Sequence, residues 1–177
     1  QGVDGPHGLS VVGDADVRGA IGADQALTSL SISGTAQLGG GLISTTGNQT
    51  YQGEVTLGAD ARLETAGGNV TFVSTLDGGH DLTIDSATGN VTFSAEVGGS
   101  ERLGAISVVS DGTSRFAAPL KATSLETDAG GVLEIAAGPI DTTGMQRYGE
   151  HLTLSTNTVL KASEVVLLAG VDASAEG

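Results

Sequence analysis

The sequence predicts an all-β chain, and more narrowly a parallel β-helix (β-solenoid), from three observations. It repeats itself, it alternates apolar and polar residues in short bursts, and it separates those bursts with glycine. Thr45-Thr46-Gly47-Asn48-Gln49-Thr50-Tyr51 returns as Thr142-Thr143-Gly144-Met145-Gln146-Arg147-Tyr148, 97 residues later. Downstream apolar positions follow, Ile43, Val55, Leu57 and Leu63 recurring as Ile140, Leu152, Leu154 and Leu160. Inside this lies a shorter repeat, Gly68-Asn69-Val70-Thr71-Phe72, unchanged as Gly89-Asn90-Val91-Thr92-Phe93 at an offset of 21. Recurrence at about 20 to 50 residues marks an array in which one unit cannot bury its apolar face alone and must stack on its neighbour.

The bursts read as half-buried strands, because strand side chains alternate between two faces. Leu9-Ser10-Val11, Leu30-Ser31-Ile32, Val55-Thr56-Leu57, Leu82-Thr83-Ile84, Ile106-Ser107-Val108, Leu133-Glu134-Ile135 and Leu152-Thr153-Leu154 share one pattern. Their starts are 21, 25, 27, 24, 27 and 19 residues apart. Four such intervals make the 97-residue offset, so the expectation is about seven coils of roughly 24 residues, a rod of about 35 Å. A hairpin array has no reason to reproduce one tripeptide in every unit, whereas a parallel coil stacks like on like. Phe72, Phe93 and Phe116, 21 and 23 residues apart, fit an internal aromatic column. Leu57, Ile84, Val108 and Ile135 join them as expected core.

Between the bursts, Gly39-Gly40-Gly41, Gly67-Gly68, Gly78-Gly79, Gly98-Gly99, Asp111-Gly112 and Gly130-Gly131 are expected to turn the chain through positive φ. Residues 163–170 read as a final strand rather than a short helix. The organisation expected is a lead-in over 1–8, the solenoid over 9–170 and a polar tail over 171–177. No amphipathic helix is positioned to cap either end, which leaves strand edges open.

Composition narrows the function classes. The 177 residues hold no Trp, three Phe, two Tyr and 29 Gly, so the core must be built from small aliphatic contacts. Cys is absent, which removes disulfides and thiol-ligated metals. Seven Lys and Arg against 21 Asp and Glu give a net charge of −14, unsuited to nucleic acid or an anionic membrane surface. No apolar run approaches the roughly 20 residues of a bilayer span. A chain that opens on Gln1 rather than Met is expected to be a processed product or an excerpt.

Catalytic signatures are thin. His7, His80 and His151 have no partner spacing and read as exposed turn residues. Asp81, Asp85, Asp111 and Asp128 would approach one another if coil registry set them on one edge, as in β-helical enzymes acting on polysaccharides. The Lys and Arg that such sites use are scarce. Gly78-Gly79-His80-Asp81-Leu82-Thr83-Ile84-Asp85 is a single degenerate version of the calcium-binding β-roll repeat. Only Thr156-Asn157-Thr158 has the Thr-x-Thr form of an ice-binding strand. Asn48-Gln49-Thr50, Asn69-Val70-Thr71 and Asn90-Val91-Thr92 are glycosylation sequons. Tyr51 and Tyr148, at equivalent repeat positions, read as semi-buried strand ends or as sugar-stacking faces. No catalytic, cofactor-binding or metal-ligating residue is therefore assigned.

Residues 43–99, with Thr-Thr-Gly-Asn-Gln-Thr-Tyr-Gln-Gly-Glu-Val-Thr-Leu-Gly-Ala-Asp, then Gly-Asn-Val-Thr-Phe, then Leu-Asp-Gly-Gly-His-Asp-Leu-Thr-Ile, resemble the repeat modules of filamentous-haemagglutinin-like adhesins and autotransporter passengers of Gram-negative bacteria. The resemblance runs through the second Thr-Thr-Gly-x-Gln-x-Tyr copy to about Leu160. It implies a right-handed parallel β-helix, exported to the cell surface and used in adhesion, aggregation or biofilm. The general preference for right-handed parallel crossovers gives the same hand. The secretion module with its Asn-Pro-Asn type motif and the membrane barrel of complete members are missing, which suits an excerpt of a stalk. The expected function is thus a non-enzymatic extracellular module meeting a surface ligand, glycan or other cells. The alternative is a filament subunit joined head to tail through open ends, and a carbohydrate-active β-helix enzyme comes third. No cofactor, nucleic acid or membrane insertion is expected.

Overall fold

A computed structural model describes residues 2–173, and all its paired strands run parallel. Each coil visits three faces in turn. The first face stacks nine strands: Gly8–Val11, Ser29–Ile32, Gln49–Tyr51, Val70–Phe72, Val91–Phe93, Thr113–Phe116, Val132–Ile135, His151–Leu154 and Val171–Ala173. The second face carries Ala15–Val17, Ala36–Leu38, Val55–Leu57 and Leu76–Asp77, continues through bridges at Val97, and resumes at Ile140–Thr142 and Leu160–Lys161. The third carries Leu42–Thr45, Ala61–Thr65, Leu82–Asp85, Leu103–Val109, Met145–Tyr148 and Glu164–Leu167. Strand Leu120–Thr127 runs across the corner between the second and third faces, pairing Ile140–Thr142 with its beginning and Met145–Tyr148 with its end.

The solenoid class is therefore as the sequence predicts, with about eight turns of about 20 residues rather than about seven of 24. Along the first face the rungs are offset by 21, 19, 21, 21, 23, 19, 19 and 19 residues. The longer estimate arose because the seven look-alike tripeptides do not share a face. Leu9, Leu30, Leu133 and Leu152 open theirs on the first face, Val55 on the second, and Leu82 and Ile106 on the third. A half-buried strand looks the same on any side of the coil, so the pattern alone skips from face to face.

The 97-residue repeat has the same origin. Its first copy places Gln49 and Tyr51 on the first face, and its second places Gln146 and Tyr148 on the third. The offset is thus not a whole number of turns, and what recurs is a way of turning a corner. The 21-residue repeat, by contrast, is true stacking: Val70, Thr71 and Phe72 lie directly under Val91, Thr92 and Phe93.

Inward positions form columns. Tyr51, Phe72, Phe93 and Phe116 stack face to face with ring centroids 5.0, 5.2 and 4.9 Å apart. The centroid spacing matches the distance between neighbouring strands, so the ring separation is set by the backbone and suits stacked aromatics. Ile32 and Ile135 close the two ends of the column. Leu57, Ile84 and Val108 are equally buried on the other faces. Tyr51 was legible as a strand end but sits wholly inside, as does Tyr148, which rules out a sugar-stacking role for either ring.

Glycine serves the corners in two ways. Gly41, Gly67, Gly78, Gly98 and Gly131 have positive φ, as expected of turn glycines. Gly39, Gly40, Gly79, Gly99, Gly112 and Gly130, expected to do the same, do not, and neither does Gly68. It is there because a side chain would collide with the coil below: a Cβ on Gly68 would lie 2.2 Å from the Gly47 carbonyl carbon, and one on Gly89 2.0 Å from the Gly68 oxygen. Residues 171–173 extend the first face, and residues 163–170 contain the strand Glu164–Leu167.

Phe93→Ala is expected to lose about 3–5 kcal/mol in chemical denaturation, since it opens a gap in the middle of the column. Phe93→Asp, which would bury a charge there, should lose at least as much. Gly89→Ala should lose about 1–3 kcal/mol by pushing two coils apart. A parent-like midpoint for these variants would contradict the stacking described.

Candidate binding surface

Some polar side chains build the corners, others face outward, and the exposed asparagines of the first-face corner do both. At the corner between the third and first faces, the Asn48 Oδ1 accepts the Asn69 backbone N–H at 2.9 Å, Asn69 does the same for Asn90 at 2.9 Å, and Asn90 for Thr113 at 2.8 Å. The three sequon asparagines are therefore one ladder that replaces the backbone hydrogen bonds lost where strands end. Carboxylates do this work elsewhere. Asp14 accepts the Thr35 N–H at 2.8 Å, Asp60 that of Asp81 at 3.0 Å, and Asp81 that of Ala105 at 2.7 Å. The Thr35 N–H holds the Asp14 carboxyl below its ordinary range.

The duplicated motif is the most elaborate corner. Gln49 donates from Nε2 to the Ile43 carbonyl (3.2 Å) and the Glu64 carbonyl (2.9 Å), and its Oε1 accepts from the Tyr51 hydroxyl (3.1 Å). Gln146 repeats each bond, to the carbonyls of Ile140 and Lys161 (2.9 Å each) and from Tyr148 (2.9 Å). Thr45 and Thr142 each donate to the carbonyl of the glycine two residues on. Burial pushes both tyrosine hydroxyls far above their usual range, so they stay neutral donors.

Three of the four acids singled out in sequence share a corner, on successive coils, and the fourth does not. Asp81 caps the corner between the second and third faces, whereas Asp85, Asp111 and Asp128 belong to the corner between the third and first. Asp128 accepts the Ser110 N–H at 3.1 Å. Among the described residues no three His, Cys, Asp or Glu side chains gather as a metal-holding group. His80 lies 3.6 Å from Asp60, and His151 is 2.9 Å from Asp172, on the first residue of a strand rather than in a turn.

What the outward positions of the first face bring together is a neutral, hydrogen-bonding patch. Ser10, Ser31, Thr50, Thr71 and Thr92 stand in one in-register column along the axis. Ser29, Asn48, Asn69 and Asn90 run beside it on one flank, and Ser33, Gln52, Val73 and Ser94 on the other. No charge interrupts these columns until Arg115, which pairs with Glu134 at 3.0 Å on the next coil. Round the corner, Thr35, Gln37, Glu54 and Thr56 line a shallow depression of about 310 Å³ on the second face.

A search for Thr-x-Thr within a strand misses this patch, because its hydroxyls lie one per coil, across the strands. The signal present in sequence was the middle Ser or Thr of each tripeptide.

The charged pairs lie on the other faces and the later coils. Asp141 takes Lys161 at 2.8 Å and Arg102 at 3.2 Å, and the Lys161 ammonium chiefly, with Arg102, holds its carboxyl below the usual range. Arg102 also donates to the carbonyls of Ala122 and Asp141, which ties three successive coils together. Arg147 pairs with Glu126 at 2.8 Å, and Lys121 with Glu96 at 3.0 Å.

Comparison of the chain with protein-family models, with curated proteins and with solved structures gives no match.

The two classes of polar residue are expected to separate in thermal melts. Gln49→Ala leaves the buried Tyr51 hydroxyl without a partner and removes a second hydrogen bond from the Ile43 and Glu64 carbonyls, and should lose about 1–3 kcal/mol. Thr71→Lys, on the outward column, should change stability by less than about 0.5 kcal/mol.

Proposed function

We propose that this chain is an extracellular structural and adhesive module, a rigid rod whose first face offers a neutral surface to a glycan or another cell. The observation that carries the reading is the uncharged column of hydroxyls and amides on a chain of net charge −14. An ordered grid of donors and acceptors at strand spacing suits the hydroxyls of a neutral polysaccharide lying along the axis. The acidic remainder keeps rods apart from one another and from anionic surfaces. The resemblance of residues 43–99 to adhesin repeats supports the same reading, and with it a place at the bacterial cell surface in adhesion, aggregation or biofilm.

A second reading, a filament subunit joined head to tail, draws on the two ends. At the first coil Val3, Leu9, Val11, Ala15, Val17 and Ile21 surround an apolar mouth of about 330 Å³. At the last, Val165, Leu167, Leu168 and Val171 are exposed. Stacking one end on the other would continue the coil without closing it.

The test is binding of the purified chain to arrayed neutral and acidic glycans, with Thr50→Arg and Thr71→Arg on the first face and Ser107→Arg on the third as control. The adhesive reading expects neutral glycans to be retained, with at least tenfold weaker binding for the first-face variants and no change for the control. Equal loss from both faces would remove the patch as the binding surface. Scattering from a concentration series separates the filament reading, which expects rods that lengthen.

A further inference from the structure

At the corner between the third and first faces, the interior is lined by hydroxyls that donate to corner carbonyls. Thr45 donates to the Gly47 carbonyl at 2.6 Å, Thr65 to Gly68 at 2.6 Å, Ser86 to Gly89 at 2.8 Å, and Ser110 to Gly89 at 2.7 Å. Two coils later the inward residue at this corner is Glu150, between strands Met145–Tyr148 and His151–Leu154. It is 1% exposed. Gly130 and Gly131, which carry no side chain, occupy the corner of the coil beneath. Neither Glu150 oxygen makes a hydrogen bond, and the hydroxyls of Ser114 and Thr127 are likewise buried without partners. A carboxylate cannot take the place of a hydroxyl donor; a carboxylic acid can.

We propose that Glu150 is a proton-dependent latch: held inside as a neutral acid it closes this corner, and its ionisation opens the coil from residue 145 onward. The neutral form both donates and accepts, so it can exchange hydrogen bonds with Ser114, which lies against it. Among the described residues the ionised form has no cation to meet. Asp128 is the charged group that acts on it, and its sign is the same. Asp111 reaches beneath Gly130 from the coil below. The basic groups on the neighbouring strands are turned away: Arg115 pairs with Glu134, Arg147 with Glu126, and His151 with Asp172.

Burial first, and Asp128 second, push the Glu150 carboxyl up from its ordinary 4.5 to about 8, against a smaller opposing effect of Ser114. The sign of the linkage follows. A carboxyl raised by folding contributes stability that is fully present below about 4.5 and is lost as pH rises through about 8. The latch is therefore shut in acid and neutral media and released in alkaline ones.

The experiment is a melting series from pH 5 to pH 10 on the parent and Glu150→Gln, with and without millimolar calcium, joined to infrared spectra at pH 6. Glu150→Gln keeps the shape and a donor but cannot ionise. The parent should lose several degrees in melting temperature more than the variant between pH 5 and about pH 8, the range in which the unfolded chain has released the proton and the folded one still holds it. Hydrogen exchange in the parent should quicken at residues 145–154 before residues 49–93. The parent should also show the carbonyl band of a protonated carboxyl at pH 6, missing in the variant. Parallel melting curves for the two proteins would overturn the latch, as would a calcium-induced rise in the parent's stability at alkaline pH that the variant lacks, since the partner would then be a cation. Should Glu150→Gln fail to fold, the infrared band of the parent titrated from pH 6 to pH 10 decides. Its loss near pH 8 supports the latch, and its absence at pH 6 overturns it.

Discussion

Every feature of this molecule depends on in-register backbone pairing between successive parallel coils. Each N–H and C=O on a face must find its partner one coil away, and the spacing of about 4.8 Å that results is imposed on whatever side chains stand there. A column can then hold only residues that tolerate their own kind at that distance. Flat rings do, which is why Tyr51, Phe72, Phe93 and Phe116 form a stack with planes within 11° of parallel. Three phenylalanines and two tyrosines suffice for a rod of this length because the smaller aliphatic columns on the other faces interlock in the same way.

Corners are where the pairing lapses and where the chain spends its polar side chains. The Asn48, Asn69 and Asn90 ladder, the aspartate caps and the two Gln-Tyr devices all supply hydrogen bonds that the bent backbone cannot make for itself. Glycine meets the complementary need, for coils to approach without a Cβ between them, as Gly68 on Gly47 shows. Residues that look like chemistry in a list are in this way absorbed by architecture. Glu150 stands apart because it is buried at a corner with neither carboxyl oxygen in a hydrogen bond.

The same register that orders the interior also orders the exterior. Alternation sends every second residue outward, so a chain that repeats Ser or Thr at the middle of its first-face strands acquires a continuous hydroxyl column from Ser10 to Thr92. Charges are confined to the later coils and the other faces, where they pair between neighbouring strands as Glu126 with Arg147 and Asp141 with Lys161 do. Exposed pairs of this kind add little stability, and their effect is to keep an acidic surface from repelling itself locally.

The architecture was legible in the order of the amino acids: parallel, coiled, all-β, with Phe72, Phe93 and Phe116 stacked inside. Periodicity of two and recurrence near 21 residues leave no other fold able to pair equivalent positions. The composition of the hydroxyl column was legible as well, since the middle residues of the tripeptides are Ser and Thr. The face that each tripeptide occupies emerged from the folded coil, and with it the finding that the 97-residue repeat is a corner device reused on a different side. Folding alone joined Ser31, Thr50, Thr71 and Thr92 into one surface, took Tyr51 and Tyr148 inside, and left Glu150 without a partner. The reason is physical. Burial on one side of a strand is a local property that alternation reveals, while the face on which a strand lies depends on the summed lengths of all the corners before it, which no local pattern records.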